Sequence, residues 1–196
     1  MIKTVFLDVD GVLADFTMGC HKKLHIPLDY DRWPYLHGPD GWDWHVQLGM
    51  TFNQLSAICD FDFWVNLPWT IDGRDILQSV IGTFDPVVTE IVLLTTPMPH
   101  IMSASGKMAW IDRYLPAYSR RAVVCSAPKA VMAHPESLLI DDNQGNCTAW
   151  IAAGGRAILV PRNWNDLHTK QGEAAAYVDK QLNLYRTETR CPESLS

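Results

Sequence analysis

The chain has 196 residues, 47% of them hydrophobic and 19% charged, with a formal net charge of −6; this is an ordinary globular balance, and the length is enough to bury a substantial core. No run of Lys or Arg is longer than pairs such as Lys22-Lys23 and Arg120-Arg121, which excludes the basic footprint that duplex nucleic acid requires. No apolar run approaches a membrane span. The five cysteines (Cys20, Cys59, Cys125, Cys147, Cys191) are scattered without CxxC spacing, which argues against a zinc site or disulfide framework and predicts a reducing, cytoplasmic setting.

The first element predicted is a strand from Thr4 to Leu7, entered so soon after Met1 that no signal peptide is expected. It delivers Asp8 and Asp10 at its end, followed at once by Gly11. Residues two apart on a strand share a face, so the two aspartates should project together. Like charges that close are costly unless a cation joins them, and oxygen-only ligands suit Mg²⁺. Asp-Val-Asp-Gly is equally at home in an ordinary strand-to-loop turn, so the catalytic reading depends on the residues at the other strand ends.

From about Thr17 to Trp69 there is no strong strand, and the segment holds Trp33, Trp42, Trp44, Trp64 and Trp69, several prolines and glycines, and a helical pattern near Thr51 to Cys59. Some fifty residues is too long for a simple loop, so a small, mostly helical cap is expected over 17–69. Short apolar runs then return at Glu90 to Leu94, Ala122 to Cys125, Ser137 to Ile140 and Ala157 to Val160, alternating with helical patterns at Lys107 to Leu115 and Cys147 to Ala153 and a shorter one at Lys129 to Ala133. Gly172 to Asn183 should form a closing helix, and 186–196 a flexible tail. Strand and helix in alternation imply an α/β fold. The expected form is a doubly wound, Rossmann-like parallel sheet of about five strands, helices on both faces, built from residues 1–16 and 70–185.

Ligands in such folds bind at the carboxyl ends of the strands, and each of the next three predicted strand ends carries a signal. Thr95-Thr96-Pro97 follows the second strand, with two hydroxyls able to donate to an anion. Ser126-Ala127-Pro128-Lys129 follows the third, and Asp141-Asp142-Asn143 follows the fourth. Two acids abutting an apolar strand are an expensive burial without a metal or a partner. Each signal alone has an ordinary structural explanation; four in this order do not.

The order DVDGV, LLTTP, SAPK, LLIDDN resembles the haloacid dehalogenase-like (HAD) phosphohydrolase superfamily over the whole core. DVDGVLADF, the Trp-rich interval, FDFWVNLPWTIDG, LLTTP, KMAWIDRYL and LLIDD resemble its 5′(3′)-deoxyribonucleotidase family more narrowly. The stretch Leu36 to Met50 is a departure from that family's pattern and leaves the substrate open. The resemblance implies Asp8 as nucleophile, forming an aspartyl-phosphate. Asp10 would be the acid and base, starting protonated. Mg²⁺ would be held by Asp8, the Asp10 backbone carbonyl, and Asp141 or Asp142. Thr95 or Thr96, Lys129 and Lys107 would hold phosphate oxygens, and cap aromatics the base: Phe16, Trp33 and Trp64, with Trp42 and Trp44 further candidates.

The expected reaction is Mg²⁺-dependent hydrolysis of a small phosphate monoester, a nucleoside monophosphate for preference. The same chemistry on another phosphate ester or on a phosphorylated nucleic-acid end competes with it, as does transfer to an acceptor alcohol. An inactive binding protein is the weaker alternative, since a binder needs neither a nucleophile nor an acid. The oligomeric state stays open, a homodimer included.

Overall fold

The structure is a computed structural model that describes residues 1–38 and 40–188, with side chains to residue 186 at the carboxyl end. Five strands form one parallel sheet in the order β3-β2-β1-β4-β5. They are β1 (Thr4–Leu7), β2 (Glu90–Thr95), β3 (Ala122–Val124), β4 (Ser137–Asp141) and β5 (Arg156–Leu159). Central β1 pairs on both sides, Thr4 with Glu90 and Ser137, Leu7 with Leu93 and Ile140. This register sets the end of β1 level with Thr95 on one side and Asp141 on the other. The strand order reverses at β1, and that is where α/β sheets open a ligand crevice.

Both faces of the sheet are covered, which explains the unbroken apolar runs. Val5, Leu7, Leu93, Leu138 and Ile140 point into the larger core. There they meet α5 (Gly73–Thr83), α6 (Ser103–Tyr114) and α8 (Ala174–Glu188) through Val80, Trp110 and Val178. The alternate residues Phe6, Leu94 and Leu139 face a smaller cluster. Trp150 of α7 (Gln144–Ala152) sits edge-on to Phe6 there, with centroids 5.1 Å apart. Lys129–Met132 is a 3₁₀ turn rather than the α-helix that its pattern predicts. The closing helix runs to Glu188, so 186–188 are helical, and the rest of the expected tail, 189–196, lies outside the described residues.

Between β1 and α5 lie four short α-helices, two 3₁₀ turns (Tyr30–Arg32 and Gly41–Asp43) and no strand among the described residues: the α-helices are α1 (Phe16–Lys23), α2 (Trp44–Gln47), α3 (Phe52–Ile58) and α4 (Phe61–Val65). Side chains start three of them. Asp15 accepts from Met18 N, Asp60 accepts from Phe63 N, and Thr51 with Gln54 forms a reciprocal capping box. α4 lies hard against α6 at Gly106, where an added Cβ would come within 2.5 Å of Trp64 Cβ. No helix of the described residues is long and apolar enough to cross a membrane.

Candidate active site

Beyond Leu7 the chain leaves the sheet and turns tightly. Asp8 N donates to Ile140 O (2.9 Å), and Gly11 takes φ +77° with its N–H on Ala14 O (2.7 Å). Glycine is required there twice over: the backbone is left-handed, and a Cβ would lie 2.3 Å from Asp142 Oδ2. The turn therefore lays the first aspartates directly against the end of β4.

Asp8, Asp141 and Asp142 are buried and bring carboxylate oxygens within 4.8 Å of one another. Lys129, reaching in from the 3₁₀ turn and 4% exposed, places Nζ 2.7 Å from Asp8 Oδ1 and 2.7 Å from Asp141 Oδ2. Val9 N also donates to Asp8 Oδ1 (2.8 Å). Asp141 is filled further by Asn143 N (2.8 Å) and Asn146 Nδ2 (3.1 Å). Asp142 Oδ2 accepts from Trp164 Nε1 at 2.6 Å. Burial pushes the Asp8 carboxyl up to about 6, with Lys129 opposing the effect and Asp141 adding to it. Burial pushes Asp142 up to about 8, and the charges of Asp141 and Asp8 add to it. Burial works against the Lys129 ammonium, yet Asp141 and Asp8 hold its pKa above the ordinary lysine value.

Asp10 turns the other way, toward β2 and α6. Its Oδ2 accepts from Thr95 Oγ1 (3.0 Å) and pairs with Lys107 Nζ, which also donates to Thr95 Oγ1 (3.1 Å). Asp10 Oδ1 is buried without a partner among the described residues. Burial holds the Lys107 ammonium down to about 7, where Asp8 opposes and Lys129 adds to the shift. The Lys107 charge also lies 4.4 Å from the centroid of the Trp64 ring. Of the two threonines, Thr95 is 1% exposed and committed to Asp10 and Lys107, whereas Thr96 is exposed and lines the cavity with Asp8, Asp10 and Lys129.

Asp10 has a lysine and a hydroxyl as neighbours, brought in because β2 and α6 close over that side of β1. One sequence expectation needs correction: Phe16 and Trp64 do not offer ring faces to a ligand. Phe16 is stacked between Trp42 and Trp64 (5.6 and 5.5 Å, 14° and 17°), and both Phe16 and Trp64 are buried. Trp33 packs among Tyr30, Tyr35 and Trp164. Burying Phe16 and Trp64 outweighs leaving them in water, whereas Trp33 is half-buried. Trp44 is also buried, and Trp42 is the tryptophan of this interval that lines the cavity with Asp8 and Asp10.

A segment with no acidic signal, Pro161 to Asn165 after β5, supports the site from below. Arg162, 2% exposed, donates to Gly11 O (2.5 Å) and forms a two-pronged pair with Asp72 (2.8 Å each). Asn165 Nδ2 donates to Asp142 O (2.9 Å). Position was the available clue, since this segment too follows the carboxyl end of a strand.

No protein-family model matches the chain, and no curated protein matches it. Solved structures do. A haloacid dehalogenase-like family hydrolase from Streptococcus pneumoniae overlays with TM-score 0.52 at 14% identity, over 87% of this chain and 91% of that one. CbbY from Rhodobacter sphaeroides, in complex with phosphate, gives 0.50 at 15%, over 85% and 89%. The chain has the haloacid dehalogenase-like fold. A third neighbour, the HAD-hydrolase YfnB from Bacillus subtilis bound to magnesium, overlays with 0.49 at 14%, over 81% and 86%. In the HAD-like fold of this chain, all four motif segments arrive at one end of one sheet, around a cavity of about 280 Å³.

Proposed function

We propose that the protein is a Mg²⁺-dependent phosphomonoesterase that acts through an aspartyl-phosphate on Asp8, with a nucleoside monophosphate as substrate and residues 17–69 as its cap. The observation that carries this is the division of labour at the end of β1. Asp8 faces a buried cluster of carboxylates, while Asp10, on the same cavity, faces a proton-bearing lysine. The cluster is oxygen-only and has more negative than positive charge, which fits a small hard cation. Asp8 and Asp142 would hold Mg²⁺, with the Asp10 backbone carbonyl, because Asp141 is already filled by Lys129, Asn143 and Asn146. Bound there, Mg²⁺ offsets the repulsion between carboxylate and phosphate and neutralises charge that builds up in the transition state.

Lys129 and Val9 N both hold Asp8 Oδ1, which fixes the orientation of the attacking carboxylate. Attack on phosphorus breaks the bond to the leaving oxygen, which takes the proton held by the Asp10–Lys107 pair. Asp10 then removes a proton from water, the water oxygen attacks phosphorus, and inorganic phosphate leaves with Asp8 restored. Lys129 and the Thr96 hydroxyl, which line the same cavity, would hold the phosphate oxygens. The nucleotide substrate is supported by the resemblance to the deoxyribonucleotidase family. The cytoplasmic setting is supported by Cys20, Cys59, Cys125 and Cys147, which are all unpaired.

The test is phosphate release from a panel of nucleoside 5′- and 3′-monophosphates and sugar phosphates, with Mg²⁺ and with EDTA. Turnover of a nucleotide that Asp8→Asn and EDTA both abolish is the expected result. Turnover of sugar phosphates alone would overturn the nucleotide assignment, and turnover indifferent to Asp8 would overturn the mechanism.

A further inference from the structure

We propose that the leaving group of the substrate lies in the groove between Trp42 and α7, and that this groove selects a flat, uncharged ring with polar edges. The inference rests on the phosphomonoesterase activity proposed for Asp8 and deepens it by giving the half of the substrate that is not phosphate a place and a chemistry.

The groove has a volume of about 440 Å³ and adjoins the catalytic cavity, with which it shares Trp42, Asp142 and Asn143 as walls. A phosphate seated over Asp8 therefore has its ester oxygen within reach of the groove mouth. Volume and composition fit a small-molecule site, mostly apolar with a few placed polar groups. The floor is the exposed face of α7, where Gly145, Ala149 and Ala152 raise no bulky side chain. Trp42, half-buried and held flat by its stack on Phe16, forms the wall opposite α7. Trp164, 5% exposed and fixed by the hydrogen bond to Asp142, closes the end of the groove with little of its own surface. A rigid indole over a smooth floor favours a planar guest.

Charge narrows the guest further. Among the described residues lining the groove, Asp142 is the one charged side chain. The catalytic cavity adds Lys129, which already lies between Asp8 and Asp141. Nothing in the groove would hold a second phosphate or a carboxylate. Polar edges do have partners: the Gln144 amide, oriented by Asp166, and the Thr148 hydroxyl both border the groove, and between them they can donate and accept.

The test is to fill the floor. Ala149→Trp, on an exposed helix face, should lower the ratio of kcat/KM for a nucleoside 5′-monophosphate to that for methyl phosphate by about tenfold or more, mainly through KM. Ala152→Phe, nearly one turn further along α7, serves if the first variant does not fold. An unchanged ratio in a folded variant overturns the proposal. So does a ratio that responds to Phe52→Ala instead, since Phe52 lines the catalytic cavity but not the groove. Wild-type protein that turns over methyl phosphate and no nucleotide overturns the choice of a ring. Wild-type protein that turns over neither overturns the phosphomonoesterase reading beneath it.

Discussion

On the β2 side of Asp8-Val9-Asp10, one carboxylate meets one ammonium and one hydroxyl. On the β4 side, three carboxylates share a single ammonium. The two sides draw on the same acid and base side chains, yet one is balanced in charge and the other is not. A balanced pair with a lowered lysine pKa is equipped to carry a proton. An unbalanced cluster in which the Asp8 and Asp142 carboxyls are raised is equipped to exchange protons for a cation. Two aspartates separated by one residue can thus take opposite tasks, because the strands on either side of β1 contribute opposite charges.

The comparison breaks most visibly at Asp8. Asp8→Asn should lower kcat by about three orders of magnitude or more, while the melting temperature in EDTA does not fall, because the change removes a like charge from a buried cluster. A parallel loss of stability would mean that Asp8 is structural. Removing the two lysines should then separate the two sides. Lys129→Met leaves three buried carboxylates without a cation and should cost about 3–5 kcal/mol in metal-free protein. Lys107→Met leaves Asp10 alone, with its side chain 17% exposed and Thr95 still attached, and should cost about 1–3 kcal/mol. Denaturant titrations giving the reverse order would show that the β4 side is not the unbalanced one.

The separation of the two sides was only partly legible in the sequence. Apolar strand runs and the residues that end them are local signals, and those ends do come together at one end of the sheet. Pairing across elements is not local. LLTTP does not reveal that Thr95 turns inward to Asp10 while Thr96 faces the cavity, and KMAWIDRYL does not reveal that Lys107 reaches Asp10. The tryptophans misled for a related reason: an aromatic-rich interval reads equally as a ligand surface or as a small core. Long-range packing makes Phe16 and Trp64 core, while Trp42, stacked on Phe16, also lines the cavity. Arg162, Trp164 and Asn165 went unmarked because their chemistry is supporting, and supporting residues have no motif of their own.

The cluster also sets a pH dependence whose sign follows from the raised carboxyls. Asp142 goes from an ordinary 3.8 to about 8, and Asp8 from 3.8 to about 6. An acid whose folded pKa is raised stabilises the fold while protonated and loses that contribution as pH climbs through the interval. Metal-free protein should therefore become less stable from about pH 4 to about pH 7, above which the lowered Lys107 ammonium opposes the trend, and Mg²⁺ should restore more stability the higher the pH. Between about pH 6 and about pH 8, binding displaces one proton, so Mg²⁺ affinity should strengthen ~10-fold per pH unit. Melting curves with EDTA and with Mg²⁺ across this range measure both effects. A stabilisation by Mg²⁺ that is independent of pH would place the ion away from Asp8 and Asp142.

The smallest expected effect tests the support beneath the cluster. Trp164 holds Asp142 Oδ2 through its indole N–H, leaving Oδ1 as the oxygen presented to a cation and fixing the plane of the carboxylate. Partners of this kind orient a ligand without touching the metal, and losing one costs metal affinity about 10-fold or more. Trp164→Phe keeps most of the ring but removes the donor. Calorimetric titration should show Mg²⁺ binding weakened about 10-fold, with kcat at saturating Mg²⁺ much less affected, because no reacting atom is moved. The melting temperature in EDTA separates this from a packing defect: weaker binding with an unchanged metal-free melt assigns Trp164 a positioning role. Equal affinity in the two proteins would mean that Asp142 needs no orienting, and that the indole is there only to close the end of the groove.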